Sequence, residues 1–227
     1  ATQNVDGLHE RSGFPRERAE LTVVDGTVEL AVGTMSSGQG HETTFPQLVS
    51  EWLQVPWDRV RYVVNDSDRI SVGGGSHSGR SMRLVSIAAA EAVADLLAQA
   101  RAVAADMLQA AEDALVYADA AFTAPGGGSV DLWTVANGFT GVGDITNRVG
   151  GYPYGAHVCE VEVDPDTGEV QIVGWTGADD VGLAVNPMVL HGQAHGAVAQ
   201  GVGQALLECV RHDDAAQLLT GSFMDYA

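Results

Sequence analysis

The chain has 227 residues, 45% of them hydrophobic and 18% charged, a composition that supports a packed core and excludes a disordered polypeptide. Thirty acidic residues against eleven basic ones give a net charge of −19, a field that repels phosphate backbones and argues against nucleic-acid binding. Every basic residue is arginine, so Walker-type phosphate loops, Schiff-base chemistry and lysine general bases are excluded.

In chain order, Ala19 to Thr34 reads as two strands around Asp25-Gly26, a dipeptide favoured in tight hairpin turns. The second strand runs into Ser36-Ser37-Gly38-Gln39-Gly40. A helix is predicted from about Glu42 to Gln54, with Phe45, Leu48, Val49 and Trp52 on one face and Pro46 in its first turn. Asp58 to Val64 reads as a strand, followed by a polar turn and Gly73-Gly74-Gly75. From Ser81 to about Ala120 the sequence is rich in Ala and Leu without Pro or Gly, which predicts one long helix or two abutting ones. Ala121 to Gly150 is rich in loop residues, with one strand near Val130 to Val135. A boundary is placed there, dividing a first portion, 1–135, from a second, 136–227, with one interleaved unit as the alternative.

The second portion alternates cleanly over Ala156 to Val163, turns at Asp164-Pro165-Asp166-Thr167-Gly168, and returns as a paired strand over Glu169 to Thr176. Asn186-Pro187 opens a last helix reaching to about Cys209. Gly192 and Gly196 lie four apart on it, so one face is bare and another backbone is expected to approach. No apolar run is long enough to span a bilayer, and no basic-then-apolar leader is visible. The chain is therefore expected to be soluble and cytoplasmic, with no membrane partner.

Two loops carry chemistry. Gly38-Gln39-Gly40-His41 sits where a strand meets a helix, where glycines let the backbone approach a ligand. Gly73 to Ser81 combines glycines, three hydroxyls and the Arg80 guanidinium just before a long helix, a set suited to phosphate. It is neither a GxGxxG fingerprint nor a Walker loop, and a solvent loop with a capping serine fits equally well.

Other patterns carry less. His191 and His195 have a zinc-compatible spacing, but Gly192 stands where a metalloprotease has glutamate and no third ligand lies near, so no metal ligand is assigned. Cys159 and Cys209 are too few for a disulfide scaffold or a four-thiolate site. The turn at Asp164 has its glycine one place early for a calcium loop, and Trp175 stands where the bidentate glutamate belongs. Ser78, His157 and Asp180 form a triad only on paper, since no Gly-x-Ser-x-Gly elbow supports them.

Taken together, the ordered blocks resemble the molybdopterin-binding large subunit of the xanthine dehydrogenase, aldehyde oxidase and carbon monoxide dehydrogenase family. They are Gly38-Gln39-Gly40-His41-Glu42-Thr43, Leu53-Gln54-Val55-Pro56, Ser76 to Ser81, and Tyr154-Gly155-Ala156-His157 through Gly168. Asp180-Val181-Gly182, Asn186-Pro187, Gly192 to Gly196, Gln200 to Ala205 and Leu218 to Tyr226 follow in the family's order. The resemblance implies an α/β (α+β) fold of mixed sheets and β-hairpins packed against long helices, part of a molybdopterin-binding domain.

It further implies a molybdenum hydroxylase that oxidises an aldehyde, an N-heterocycle or a similar small molecule with water as the oxygen source. Its cofactor would be molybdopterin, including the cytosine-dinucleotide form, with iron–sulfur and FAD groups on partner chains. By motif, Gln39, Gly40 and Gln193 would contact the pterin or dithiolene, while Ser78, Gly79, Arg80 and Ser81 would cradle the pterin and its phosphate tail. Those loops are expected to converge on one cleft.

The family's catalytic glutamate loop and two of its upstream loops have no match here. The chain thus resembles the later-middle portion of a large subunit, with no catalytic residue of its own. It is expected to be inactive alone, to need the rest of the molybdenum subunit, and to expose apolar surface that the rest would cover. Two other classes stay open: a non-catalytic assembly domain of the same ancestry, and a nucleotide-binding module using the Ser76–Ser81 loop.

Overall fold

The computed structural model describes residues 16–64, 66, 68–77, 79–146 and 150–226. Two compact units divide after Gly151. In the first unit, β1 (Glu17–Val24) and β2 (Thr27–Val32) form the expected hairpin, with Leu21 opposite Leu30. The chain then forms α1 (His41–Leu53), a short 3-10 turn at Trp57–Arg59 and β3 (Val60–Val63), which lies parallel to β2. Next come α2 (Arg80–Leu108), the three short strands β4 (Val116–Ala118), β5 (Ala121–Thr123) and β6 (Ser129–Asp131), the helix α3 (Leu132–Ala136), and β7 (Thr140–Ile145).

The main sheet has the order β3-β2-β1-β7, and β4-β5-β6 form a small antiparallel sheet. This is the expected mixture of parallel and antiparallel strands packed on long helices. Alternation in β1 and β2 turns Ala19, Leu21, Val23, Val28 and Leu30 into the core; α2 packs on β1 and β7, and α1 packs on β3 and α2. The core side of α2 is nearly all small: Ala88, Ala92, Ala100 and Ala104 are buried with Leu84 and Leu96 among them.

Small residues on the strand answer those on the helix. A Cβ at Gly141 would meet the Ala92 carbonyl and Leu96, and one at Gly143 would meet the Ala88 carbonyl. The helix therefore lies almost against the β7 backbone. Asp95 Oδ2 accepts the Val142 N–H at 2.8 Å, and Gln99 Nε2 donates to the Thr140 carbonyl at 3.1 Å. Side chains of α2 thus take up main-chain groups on the outer edge of β7.

The structure departs from the sequence reading in several places. α1 begins at His41, so Pro46 is its sixth residue, beyond the first turn, and lacks the N–H that would meet the Glu42 carbonyl. α2 ends at Leu108, where Gln109 adopts φ 51° and closes the helix, instead of running to Ala120. Val116 and Tyr117 then pair with β5, and burial of Phe122 between α2 and the small sheet outweighs local helix propensity. The segment Val130 to Val135 is strand only to Asp131, whose carboxylate accepts the Thr134 N–H and caps α3. β7, which a boundary at 135/136 assigns to the second portion, pairs with β1 along its length.

The second unit contains the hairpin β8 (Tyr154–Val163) and β9 (Val170–Asp180), then α4 (Pro187–Leu206) and α5 (Phe223–Tyr226). Its hairpin turn follows the sequence: Asp164 Oδ1 accepts the N–H groups of Asp166 and Thr167 at 2.8 and 3.2 Å. Those two backbone donors hold the Asp164 carboxyl below its usual range. Asn186 caps α4 by accepting the Val189 N–H at 3.0 Å. Gly192 and Gly196 face open space, so within the described residues no backbone uses the bare face. Tyr152, Leu183, Met188, Phe223 and Met224 are all exposed, Phe223 at 96%. No helix among the described residues is long and apolar enough to cross a membrane.

Candidate functional site

The two glycine-containing loops lie side by side at the end of the main sheet. Gly33 and Gly73 bring them together, because a Cβ on either would overlap the backbone of the other loop. Both loops then enter a helix through a left-handed glycine: Gly40 caps α1 with φ 76°, and Gly79 caps α2 with φ 66°. Among the described residues neither helix start has a side-chain cap hydrogen bond.

A string of polar contacts joins the loops. Gln39 Oε1 accepts the Ser37 N–H, and Gln39 Nε2 donates to Ser76 Oγ. Ser76 Oγ also lies 3.0 Å from His41 Nε2 and 2.7 Å from Ser81 Oγ, which is 3.5 Å from Thr34 Oγ1. His41 is buried at the start of α1 and stacks on Phe45 at 4.6 Å, with the rings 23° apart. Burial pushes its pKa down and so favours the neutral ring, opposed by Glu42, and its Nδ1 has no hydrogen-bond partner among the described residues. Tyr62 packs edge-on to Phe45, and its hydroxyl donates to the Thr34 carbonyl at 2.8 Å.

Arg80 is turned into the protein. Its guanidinium pairs with the fully buried Glu17 carboxylate and donates to the Arg16 carbonyl at 2.7 Å and the Gly75 carbonyl at 3.3 Å. Desolvation raises the Glu17 pKa, and the Arg80 hydrogen bond and charge oppose that rise. The pair therefore braces the second loop from within. Arg83 holds its other side, donating to the Gly79 carbonyl at 3.2 Å and the Gly151 carbonyl at 2.9 Å.

Of the residues singled out by sequence, Gln39, Gly40, Gly79, Arg80 and Ser81 come together here. Ser78 lies outside the described residues. Gln193 is on an exposed face of α4 in the second unit, between His191 and His195, whose rings meet edge to face at 6.4 Å. Among the described residues no group of three His, Cys, Asp or Glu side chains is placed to hold a metal ion. Sequence reasoning missed Glu17, Thr34 and Tyr62. Glu17 did leave a signal, an ionisable residue in phase with the apolar Ala19, Leu21 and Val23 of its strand.

The arrangement is a pair of adjoining loops that offers an amide, neutral hydroxyls, glycine backbone and two helix starts, with its cation buried beneath. A Cβ at Gly38, Gly75 or Gly79 would meet nothing within 4 Å, so the backbone is open there to a ligand. Such donors and acceptors match the edge of a polar heterocycle and the oxygens of a phosphate. Such a set suits the binding of a cofactor that carries the chemistry itself.

Comparison with known proteins agrees with that class. The sequence pattern of the molybdopterin cofactor-binding domain matches residues 7–227, and the chain belongs to this family. It is 34% identical to the 6-hydroxypseudooxynicotine dehydrogenase complex subunit gamma of Paenarthrobacter nicotinovorans, over 97% of this chain and 29% of that protein. It is 31% identical to the carbon monoxide dehydrogenase large chain of Afipia carboxidovorans, over 88% of this chain and 27% of that one. Its fold is similar to a crystal structure of the Cu,Mo-CO dehydrogenase, with a TM-score of 0.83 at 29% identity over 95% of this chain and 29% of that one. Quinoline 2-oxidoreductase from Pseudomonas putida 86 gives a TM-score of 0.77 at 27% identity, over 93% and 29%. The chain thus spans under a third of the length of these relatives.

Proposed function

We propose that this chain is part of the large subunit of a molybdenum hydroxylase and holds one side of its molybdopterin cofactor. The observation that carries the reading is the meeting of the Gln39 loop, the Ser76–Ser81 loop and the two helix starts at one place. Gln39 would bond the heterocycle edge. Gly40, Gly79 and Ser81 would supply close backbone and a hydroxyl, and Ser78 would join them; Gln193 is a proposed cofactor contact by its motif alone. When bound, the cofactor supplies two-electron oxidation of a carbon centre of an aldehyde, an N-heterocycle or a similar small molecule, with water as the oxygen source. Arg80 serves this site by bracing the loop and not as a phosphate contact, since its guanidinium is committed to Glu17 and two carbonyls.

The proton-accepting carboxylate would come from elsewhere in the subunit. Glu17, the one buried carboxylate among the described residues, is paired with Arg80 and is not placed to act as that base. Iron–sulfur and flavin subunits would take the electrons, in line with relatives named as a large chain and as a complex subunit. The cytoplasm is the expected location. A nucleotide-binding module is less well supported, because it needed the Arg80 charge to face outward.

The test is the molybdenum and pterin content of native complexes captured through this chain. Near-stoichiometric amounts of both are expected. An intact complex with neither would reduce the family membership to ancestry and leave a non-catalytic assembly domain.

A further inference from the structure

We propose that Ser76, backed by His41, is a positioning residue that fixes which group of the Gln39 amide faces the cofactor. The proposal rests on the reading above that Gln39 contacts that cofactor. A backbone N–H can only donate, so the Gln39 atom facing the Ser37 N–H is the carbonyl oxygen, which Ser36 Oγ also approaches at 3.5 Å. The amide nitrogen therefore points the other way and donates one hydrogen to Ser76 Oγ. With the carbonyl and one hydrogen used inside the protein, the group left to offer is the second N–H, a donor.

The hydroxyl of Ser76 holds the nitrogen end of that orientation. It has one hydrogen and two lone pairs, and it has three neighbours: Gln39 Nε2, His41 Nε2 at 3.0 Å and Ser81 Oγ at 2.7 Å. Gln39 must donate to it. If His41 carries its hydrogen on Nε2, Ser76 accepts from both nitrogens and spends its own hydrogen on Ser81, which is left to donate towards Thr34. If the hydrogen sits on Nδ1, Ser76 must donate to His41 and accept from Ser81, and an N–H is buried with no acceptor among the described residues. The first arrangement leaves only a lone pair without a partner. The string is thus directional, running from Gln39 and His41 into Ser76 and on to Ser81. Without the Ser76 hydroxyl, nothing on that side distinguishes the two ends of the Gln39 amide.

The experiment uses the full-length large subunit assembled with its partners, carrying Ser76→Ala, Ser76→Cys, Ser76→Thr or Gln39→Ala. Molybdenum and pterin per complex, the Mo(V) paramagnetic resonance spectrum and the melting temperature are read alongside kcat and KM. Ser76→Ala and Ser76→Cys are expected to alter the spectrum as Gln39→Ala does and to lower activity or cofactor retention by about 10- to 100-fold. Ser76→Thr, which keeps the hydroxyl, should restore both, and the melting temperatures should stay together. Ser76→Cys keeps the volume and so covers the case in which the alanine variant does not assemble. A changed Gln39→Ala spectrum beside unchanged Ser76→Ala and Ser76→Cys spectra overturns the positioning role alone. An unchanged Gln39→Ala spectrum removes the role to be positioned. A wild-type complex lacking molybdenum and pterin overturns the functional reading and this one with it.

Discussion

Glu17 and Asp144 titrate in opposite senses, which makes them separable by pH. Burial raises the Glu17 carboxyl above its ordinary value despite Arg80, so the folded chain holds that proton more tightly than the unfolded one. Stability from this group is complete below the unfolded value of about 4.3 and falls as pH rises through the folded value. Glu17→Gln has no such proton and should flatten urea midpoints measured across that range. Asp144 is depressed to about 2, first by its hydrogen bond from Arg16 and then by Arg18. Its contribution is present above about pH 4 and is lost as pH falls through 2. Asp144→Asn should match wild type in strong acid and trail it near neutrality, by about 1 kcal/mol at most, because Arg16 is half exposed. The buried pair matters more. Arg80→Met strands the Glu17 charge and should cost about 3–5 kcal/mol by urea unfolding, whereas Glu17→Gln leaves Arg80 an acceptor and should cost less.

At the scale of elements, the seam between α2 and β7 brings helix and strand backbones together with no room for a Cβ at Gly141 or Gly143. Gly141→Ala or Gly143→Ala places a methyl against helix carbonyls and should lower stability by about 1–3 kcal/mol in urea denaturation, with a surface site such as Gly126→Ala as control. The same seam shows where sequence reading ends. The β1–β2 hairpin was legible because Asp25-Gly26 is a local turn signal, and the β8–β9 hairpin because its alternation and Asp164 turn are local too. β7 was not, since Gly141 and Gly143 dilute the strand propensity of Thr140 and Val142, and the strand pairs with β1 more than a hundred residues away. The end of α2 was hidden likewise, because strong helix formers continue past Gln109 through Ala110, Ala111 and Glu112 while the small sheet's packing decides otherwise. Gln39 and the loop before α2 could be read from their motifs. The string through Ser76 and His41, and the inward turn of Arg80, depend on contacts between distant segments that no local pattern records.

At the scale of the molecule, a charge of −19 and exposed apolar side chains in the second unit oppose each other. Mutual repulsion should keep the isolated chain dispersed at low ionic strength, and screening should release the apolar contacts. Light scattering is therefore expected to rise as salt increases from about 0.01 M to 1 M, where the screening length falls from about 30 Å to about 3 Å. Flat scattering across that range would mean that Leu183, Phe223 and Met224 are covered within the chain. The main sheet should take no part in such association through one of its ends. Asp95 and Gln99 already occupy main-chain positions along β7 where a further strand would dock. Strand exchange, fibril growth or a continuous sheet shared with another polypeptide must then start at β3, which leaves this unit with a single direction in which its sheet can be extended.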